Sequence, residues 1–232
     1  MSTKQINLLE IFHKLEHENY CIIKLPNNFP DYDIGSDLDI FCYDVDNIAK
    51  LILSNVQKYI TSNKEVKITK NHNQIYIDIV ENKIIHFRFD LYGKLPYYNN
   101  INIKKAFFSS VIENTKNIDI KNITIKVPSD MDEAILRYIE YHEWYAQRPD
   151  KIKHIKYLEE RIKSNDIDIG KMLDKLHYYT SLPNIEENKH VSSNESMKYM
   201  QYLFENLKKI VKYLKVNGLK DTIIKVKEKL IK

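Results

Sequence analysis

The chain has 232 residues, which is enough for one domain with a substantial core or for two small domains. Hydrophobic residues make up 43% and charged residues 29%, as in an ordinary globular protein, and 4 glycines with 6 prolines argue against long disordered linkers. The formal net charge of +4 is modest, so the overall charge identifies no partner.

The first sixty residues alternate between helical and strand-like patterns. Apolar residues at helical spacing predict a helix over 5–17, and YCIIKL predicts a short strand over 20–25. This strand ends at Pro26, and an aspartate-rich loop and a second strand, SDLDIFCY, follow it. A second helix is predicted over 45–60, with Asp44 as its N-cap.

The next region is mainly of the β type. EVKITK alternates between apolar and polar residues, and QIYIDIV and KIIHFRFDLYG flank Glu81-Asn82, which predicts a hairpin. In the second of these hairpin strands, Arg88 and Asp90 point away from the apolar residues between them, whereas Asp78 on the first is expected at the surface. A short helix near 103–115 and a strand, NITIKV, follow.

The character of the chain changes at Pro128. SDMDEAILRYIEYHEWYAQ begins with a capping residue and keeps a helical period, and the later segments continue it, including a long pattern over 193–216 and a last helix. The predicted fold class is therefore α+β. We expect a small domain with a mixed β-sheet over 1–127, followed by a helical domain over 128–232.

The C-terminal helical pattern is rich in lysine. Ten lysines lie between Lys198 and Lys232, against three acidic residues. Such a face can contact nucleic acid or phosphate, but a solvated helix face explains the pattern as well. Because no aromatic-rich basic channel or RNA-binding module accompanies it, we expect no nucleic-acid partner.

The two cysteines and the N-terminal segment indicate the compartment. Cys21 and Cys42 lie in apolar strand-like runs without a Cys or His at zinc spacing, which predicts buried, reduced thiols. The sequence has no run of 18 apolar residues, and its N-terminus is typical of an amphipathic helix rather than a signal peptide. We therefore expect a cytoplasmic protein without a membrane span.

The segment DYDIGSDLDIFCYD crowds five aspartates into residues 31–44, although carboxylates repel one another. A calcium-binding EF-hand loop beginning at Asp31 would need an oxygen ligand, a glycine and a glutamate at its fifth, sixth and twelfth positions. The sequence has Gly35, Ser36 and Cys42 there. The EF-hand interpretation is therefore excluded.

A metal site of another kind fits the same segment. Asp37 and Asp39 are two apart in a predicted strand, so both carboxylates project from one face. Two such carboxylates are costly unless a divalent cation neutralises them, and Mg²⁺ prefers oxygen ligands. The Asp-x-Asp motif of metal-dependent glycosyltransferases is one alternative, but that motif normally follows a nucleotide-binding βα unit, and only one helix and one short strand precede Asp37.

The order strand, turn, Gly-Ser-Asp-Leu-Asp-Ile-Phe, helix resembles the DNA polymerase beta-type nucleotidyltransferase superfamily, over about residues 20–160. In that family two aspartates on one strand and a third carboxylate on a later strand bind two Mg²⁺ ions. The resemblance implies that Asp37, Asp39 and Asp90 of HFRFDLYG are the metal-binding and catalytic residues, with two Mg²⁺ or Mn²⁺ ions as cofactors.

The sequence departs from the family in the turn after the first strand. The family usually holds the triphosphate there with a Gly-Gly or Gly-Ser turn, whereas this chain has KLPNNFPDY. Divergent bacterial members, some associated with surface-polysaccharide genes, are similar in lacking the glycine pair. The candidates for phosphate contacts are then Lys24, Gly35, Ser36 and Arg88.

The function implied by this resemblance is Mg²⁺-dependent nucleotidyl transfer. A nucleoside monophosphate would pass from an NTP, such as ATP or CTP, to a hydroxyl or phosphate of a small acceptor, in surface-polysaccharide metabolism. Two alternatives stay open, a non-catalytic binding protein with the same fold and a metal-dependent glycosyltransferase.

Overall fold

The computed structural model describes residues 5–98, 101–164 and 166–181. Its helices are α1 (Leu8–Leu15), α2 (Val45–Val56), α3 (Ala106–Glu113), α4 (Asp130–Trp144), α5 (Ile152–Lys163) and α6 (Ile169–Tyr179). Its strands are β1 (Tyr20–Ile22), β2 (Ser36–Cys42), β3 (Lys64–Asn71), β4 (Gln74–Glu81), β5 (Ile84–Tyr92), β6 (Asn102–Ile103), β7 (Lys116–Ile120), β8 (Ile123–Val127) and β9 (Thr180–Ser181).

A five-stranded mixed sheet with the strand order β1-β2-β5-β4-β3 forms the centre of the fold. The pair β2 and β5 is parallel, and the other neighbours are antiparallel. The predicted β4–β5 hairpin is confirmed, and its turn residues Asn82 and Lys83 both have positive φ, as a two-residue type I′ turn requires. A mixed α+β fold is thus observed.

Apolar side chains form a core on each face of the sheet. On one face, Leu38 and Ile40 pack with α1, α2 and the β7–β8 hairpin. On the other face, Cys21 and Phe41 pack with α3, α4, α5 and α6. The result is a three-layer arrangement in which the central strands of the sheet pack against apolar side chains on both sides, whereas β3 at the edge is mostly exposed. Cys21 and Cys42 are buried free thiols, as predicted.

One predicted element boundary is confirmed by its capping hydrogen bond. Helix α2 begins after Asp44, whose Oδ1 accepts a hydrogen bond from the backbone N–H of Asn47 at 2.9 Å. Strand β7, in contrast, was not predicted from the sequence. Its residues KNIDI alternate between half-buried and exposed positions, but only Ile118 and Ile120 are apolar and none of the five is fully buried, so the apolar pattern is short.

Replacing the cap should have a measurable effect on stability. We expect Asp44→Ala to lower the free energy of unfolding by about 1 kcal/mol, because the N–H of Asn47 loses its acceptor. Asp44→Asn keeps an acceptor oxygen and should stay within a few tenths of a kcal/mol of the wild type. Urea unfolding of both variants measures the difference, and equal losses in the two would contradict a capping role.

The described part of the predicted helical domain contains α4, α5, α6, a short 3-10 helix over Pro149–Lys151 and the two-residue strand β9. Strand β9 pairs with β6, so this part of the chain is tied to the preceding part. The predicted helix over 193–216 and the lysine-rich segment lie outside the described residues. Within the described ranges, no helix has the length and apolar character needed to cross a membrane.

Candidate active site

Two central strands bring the predicted carboxylates to one face of the sheet. In the parallel register of β2 and β5, Asp39 is opposite Asp90, and Asp37 is opposite Arg88. Because residues two apart on a strand share a face, Asp37, Asp39 and Asp90 lie on the same side. That side is opposite Leu38, which packs into the core with α1 and α2.

The three carboxylates differ in their exposure. Asp37 is exposed, whereas the side chain of Asp39 is 27% exposed and that of Asp90 only 10%. Burial and the negative charge of Asp39 together raise the pKa of Asp90 to about 7, against the opposing effect of Arg88. Burial also raises the pKa of Asp39, against the opposing effect of Lys24. The charged forms of Asp39 and Asp90 are therefore disfavoured in this structure.

Lys24 lies in the turn that follows β1. Its φ of +57° is in the left-handed region that favours glycine, so the turn holds this lysine in a conformation that residues with a side chain rarely adopt. Its Nζ lies 2.8 Å from Oε2 of Glu140 and 3.5 Å from Oδ2 of Asp39. Burial works to lower the pKa of Lys24, but these two carboxylates outweigh it and hold the pKa above its ordinary value.

Arg88 is held by a carboxylate on the neighbouring strand. Its Nε donates to Oδ1 of Asp78 at 2.5 Å, and a second guanidinium nitrogen donates to Oδ2 at 3.0 Å. The surface position expected for Asp78 is wrong, because the residue is only 8% exposed beneath this ion pair. The Nε of Arg88 is 3.7 Å from Oδ1 of Asp90, beyond hydrogen-bonding distance.

Gly35 and Ser36 stand at the start of β2. Gly35 has a φ of +84°, and its N–H donates to the carbonyl oxygen of His86 at 3.1 Å. The N–H of Ser36 donates to the carbonyl oxygen of Asp33, also at 3.1 Å. Both backbone donors are therefore already used within the chain, and Lys24 is the phosphate candidate that faces the cleft described next.

A cleft of ≈ 250 Å³ lies beside Asp39, between the sheet and α4. Lys24 and Asp39 form its floor, and Glu140 and Trp144 of α4 form the opposite wall. Two further cations, Lys151 and Arg148, and the 83% exposed ring of Tyr97 also line it. The lining thus combines positive charge, aromatic surface and one of the predicted carboxylates, over a volume that matches part of a nucleotide.

Glu140 is the charged centre of the helical wall. It accepts hydrogen bonds from Lys24 at 2.8 Å and from Lys151 at 3.0 Å, and Nε2 of the buried His154 is also 3.0 Å away. Burial works to raise the pKa of Glu140, but His154, Lys24 and Lys151 hold it far below the usual range. Glu140 is therefore ionised and firmly bound to α5 and to the turn after β1.

Three lining residues of the cleft were not predicted from the sequence as site residues: Glu140, Trp144 and Lys151. One signal was present, since Leu136, Glu140 and Trp144 are spaced by four residues and must share one face of a helix. This spacing does not indicate which other part of the molecule the helix face packs against.

The carboxylates fit a Mg²⁺ ion in the chemistry of their donors. Oδ1 of Asp90 is buried and, among the described residues, receives no hydrogen bond, which leaves a charged oxygen without a ligand. Within the same ranges no group of three or more His, Cys, Asp or Glu side chains is arranged to hold a metal ion. Mg²⁺ does not require such a group, because it commonly takes one or two carboxylates and completes its shell with water and substrate phosphates.

Comparison with known proteins gives structural similarity at low identity. No protein-family model matches the chain, and no curated protein matches it. The crystal structure of a "putative nucleotidyltransferase" from H. pylori is 11% identical with a TM-score of 0.28, over 79% of this chain and 95% of that chain. JHP933 from Helicobacter pylori is 12% identical with a TM-score of 0.31, over 91% and 95%. At these values neither similarity assigns a fold or an activity to this chain.

Proposed function

We propose that the protein is a divalent-cation-dependent nucleotidyltransferase that moves a nucleoside monophosphate from an NTP to a small acceptor. The observation that carries the proposal is the parallel register that sets Asp39 opposite Asp90, with Asp37 on the same face, beside a cationic and aromatic cleft. Buried carboxylates crowded on adjacent strands are unfavourable unless a cation joins them. Phosphates of an NTP would in turn complete the shell of that cation.

In this proposal Asp37, Asp39 and Asp90 would hold Mg²⁺ or Mn²⁺, with one or two of these carboxylates as direct ligands of an ion and with water and the phosphates of the NTP completing its shell. When bound, the ion supplies charge neutralisation for the triphosphate and lowers the pKa of the acceptor hydroxyl. The three carboxylates lie on two adjacent strands, so the sheet fixes the positions of the oxygens that would bind the ion. The ion would in turn orient the phosphates.

The cleft supplies the remaining contacts for the nucleotide. Lys24 and Lys151 attract its phosphates, and the partly exposed Trp144 offers a ring face for the base. We propose a small-molecule acceptor, because the sequence has no aromatic-rich basic channel or RNA-binding module. A role in surface-polysaccharide metabolism remains part of the proposal, and it rests on the resemblance of the sequence.

Thermal unfolding with nucleotides tests the proposal. We expect one NTP together with Mg²⁺ to raise the Tm by several degrees, since a ligand at a hundred times its Kd stabilises by about 2.7 kcal/mol. Mg²⁺ alone or NTP alone should have a much smaller effect, because each supplies ligands for the other.

The same experiment separates the proposal from the glycosyltransferase alternative. A shift produced by a nucleotide sugar with Mn²⁺, and by none of the four NTPs, would favour the glycosyltransferase. No shift with any NTP in the presence of Mg²⁺ or Mn²⁺ would refute nucleotidyl transfer. Release of pyrophosphate with a positive NTP then identifies the reaction.

A further inference from the structure

The half-buried Asp39 and the buried Asp90 each have a positively charged side chain nearby, and another carboxylate holds that side chain more closely. Nζ of Lys24 is 3.5 Å from Asp39 but 2.8 Å from Glu140. In water-poor surroundings an ammonium group at hydrogen-bonding distance is bound more strongly than one outside it. Glu140 is therefore the stronger of the two partners of Lys24.

The same relation holds on the other strand. Nε of Arg88 is 3.7 Å from Oδ1 of Asp90, whereas two guanidinium nitrogens donate to Asp78 at 2.5 and 3.0 Å. A guanidinium bound by two parallel hydrogen bonds is fixed in direction as well as position. Arg88 therefore makes no hydrogen bond to Oδ1 of Asp90, because its guanidinium group is bound to Asp78.

Both holding carboxylates stand on firmly packed elements. Asp78 on β4 is the direct register partner of Arg88 on β5, inside the sheet. Glu140 on α4 is bound by Lys151 and lies 3.0 Å from the buried His154. Neither Asp78 nor Glu140 is available to bind the metal ion, because each already binds positively charged side chains of the protein. Their effect on the site must therefore act through Arg88 and Lys24.

We propose that Asp78 and Glu140 are positioning residues that draw Arg88 and Lys24 away from Asp90 and Asp39, which keeps those two carboxylates available to a divalent cation. Without Asp78, the guanidinium of Arg88 closes the gap to Asp90 and competes with the metal for the same oxygen. Without Glu140, Lys24 does the same at Asp39. This inference rests on the proposed metal-dependent function and assigns that function two residues outside the metal ligands.

The metal affinity of four full-length proteins tests the inference. They are the wild type, Asp78→Asn, Arg88→Gln and the double variant, each titrated with Mn²⁺ alone and followed by electron paramagnetic resonance. We expect Asp78→Asn to weaken Mn²⁺ binding by about tenfold, as is typical for residues that orient metal ligands. In the Arg88→Gln background the same substitution should have no effect, because the side chain that Asp78 positions is absent.

A structural or long-range electrostatic role of Asp78 gives a different result. In that case Asp78→Asn weakens Mn²⁺ binding by the same factor with and without Arg88, and the inference is wrong. A crystal structure of metal-free Asp78→Asn gives a readout that does not depend on metal. We expect Arg88 to lie within hydrogen-bonding distance of Asp90 there, and an unchanged gap would also overturn the inference.

The second pair keeps the test decisive if Asp78→Asn does not fold. Glu140→Gln and Lys24→Met, alone and together, form the equivalent set at Asp39, on different elements of the fold. Absence of a Tm shift of the wild type with every NTP in the presence of Mg²⁺ or Mn²⁺ would overturn the proposed function itself. Mn²⁺ binding by the wild type that is unaffected by Asp78→Asn and by Glu140→Gln would overturn the positioning role alone.

Discussion

Asp39→Asn is expected to abolish metal-dependent nucleotidyl transfer, with kcat/KM lower by about a thousandfold or more. Asparagine keeps the size of the side chain and one acceptor oxygen but removes the charge that offsets the cation. A catalytic metal supplies several kcal/mol of transition-state stabilisation, and each 1.36 kcal/mol corresponds to a factor of ten in rate. Pyrophosphate release with the NTP that stabilises the wild type measures the loss.

The same variant should remain folded without metal. The carboxylate of Asp39 is disfavoured by burial, so its neutral replacement should leave stability level or raise it. Lys24 keeps its closer partner, Glu140. A matched control is Asp46→Asn, which changes an exposed aspartate of α2 paired with Lys70 and should leave both activity and stability close to the wild type. An Asp39→Asn protein that loses stability and retains activity would refute the catalytic role.

Asp90→Asn is expected to stabilise the metal-free protein in a pH-dependent way. The pKa of Asp90 is raised to about 7 in the folded protein, whereas an unfolded aspartate titrates near its ordinary value of 3.8. Below about pH 4 the carboxyl group of Asp90 is protonated in both the folded and the unfolded protein, so its ionisation does not lower the free energy of unfolding. As the pH rises towards 7, the unfolded chain ionises first, so the wild type loses stability over this window.

The size of this effect follows from the difference between the two pKa values. Each unit corresponds to 1.36 kcal/mol, so the free energy of unfolding of Asp90→Asn should exceed that of the wild type by up to about 4 kcal/mol at pH 8. At pH 4 the two should agree to within about 1 kcal/mol. Urea unfolding with a chelator at both pH values measures the difference. A gain that is equal at pH 4 and pH 8 would contradict the raised pKa of Asp90.

The sequence predicted the sheet well where its signals are local. Alternation in β4 and β5 and the turn between them are properties of neighbouring residues, so the hairpin could be predicted. The shared face of Asp37 and Asp39 follows from a spacing of two in a strand. Asp90 was predicted through the family resemblance, as a carboxylate on the polar side of a later strand, and the register that sets it opposite Asp39 is a property of the fold.

The opposite wall of the site could not be predicted, because it depends on contacts between distant parts of the chain. Glu140 binds Lys24 across 116 positions, and no local pattern encodes that distance. Asp78 was misplaced for a related reason. A polar residue that alternates with isoleucines indicates a solvent-facing side, but here Arg88 from the next strand covers it. Which partner covers a polar face is decided by the sheet order rather than by the strand itself.

The hydrogen bond between Lys24 and Glu140 makes ligand binding and helix packing thermodynamically linked. A ligand that attracts the ammonium group of Lys24 must compete with Glu140, which also joins α4 to the 3-10 helix before α5 through Lys151. The coupling between the two equilibria is reciprocal in free energy. Any change that strengthens the packing of α4 against the sheet through this hydrogen bond therefore lowers the affinity for the ligand by the same factor. A glycine turn that bound phosphate through its backbone would bind without this coupling, whereas the lysine makes the helical layer a participant in the affinity of the site.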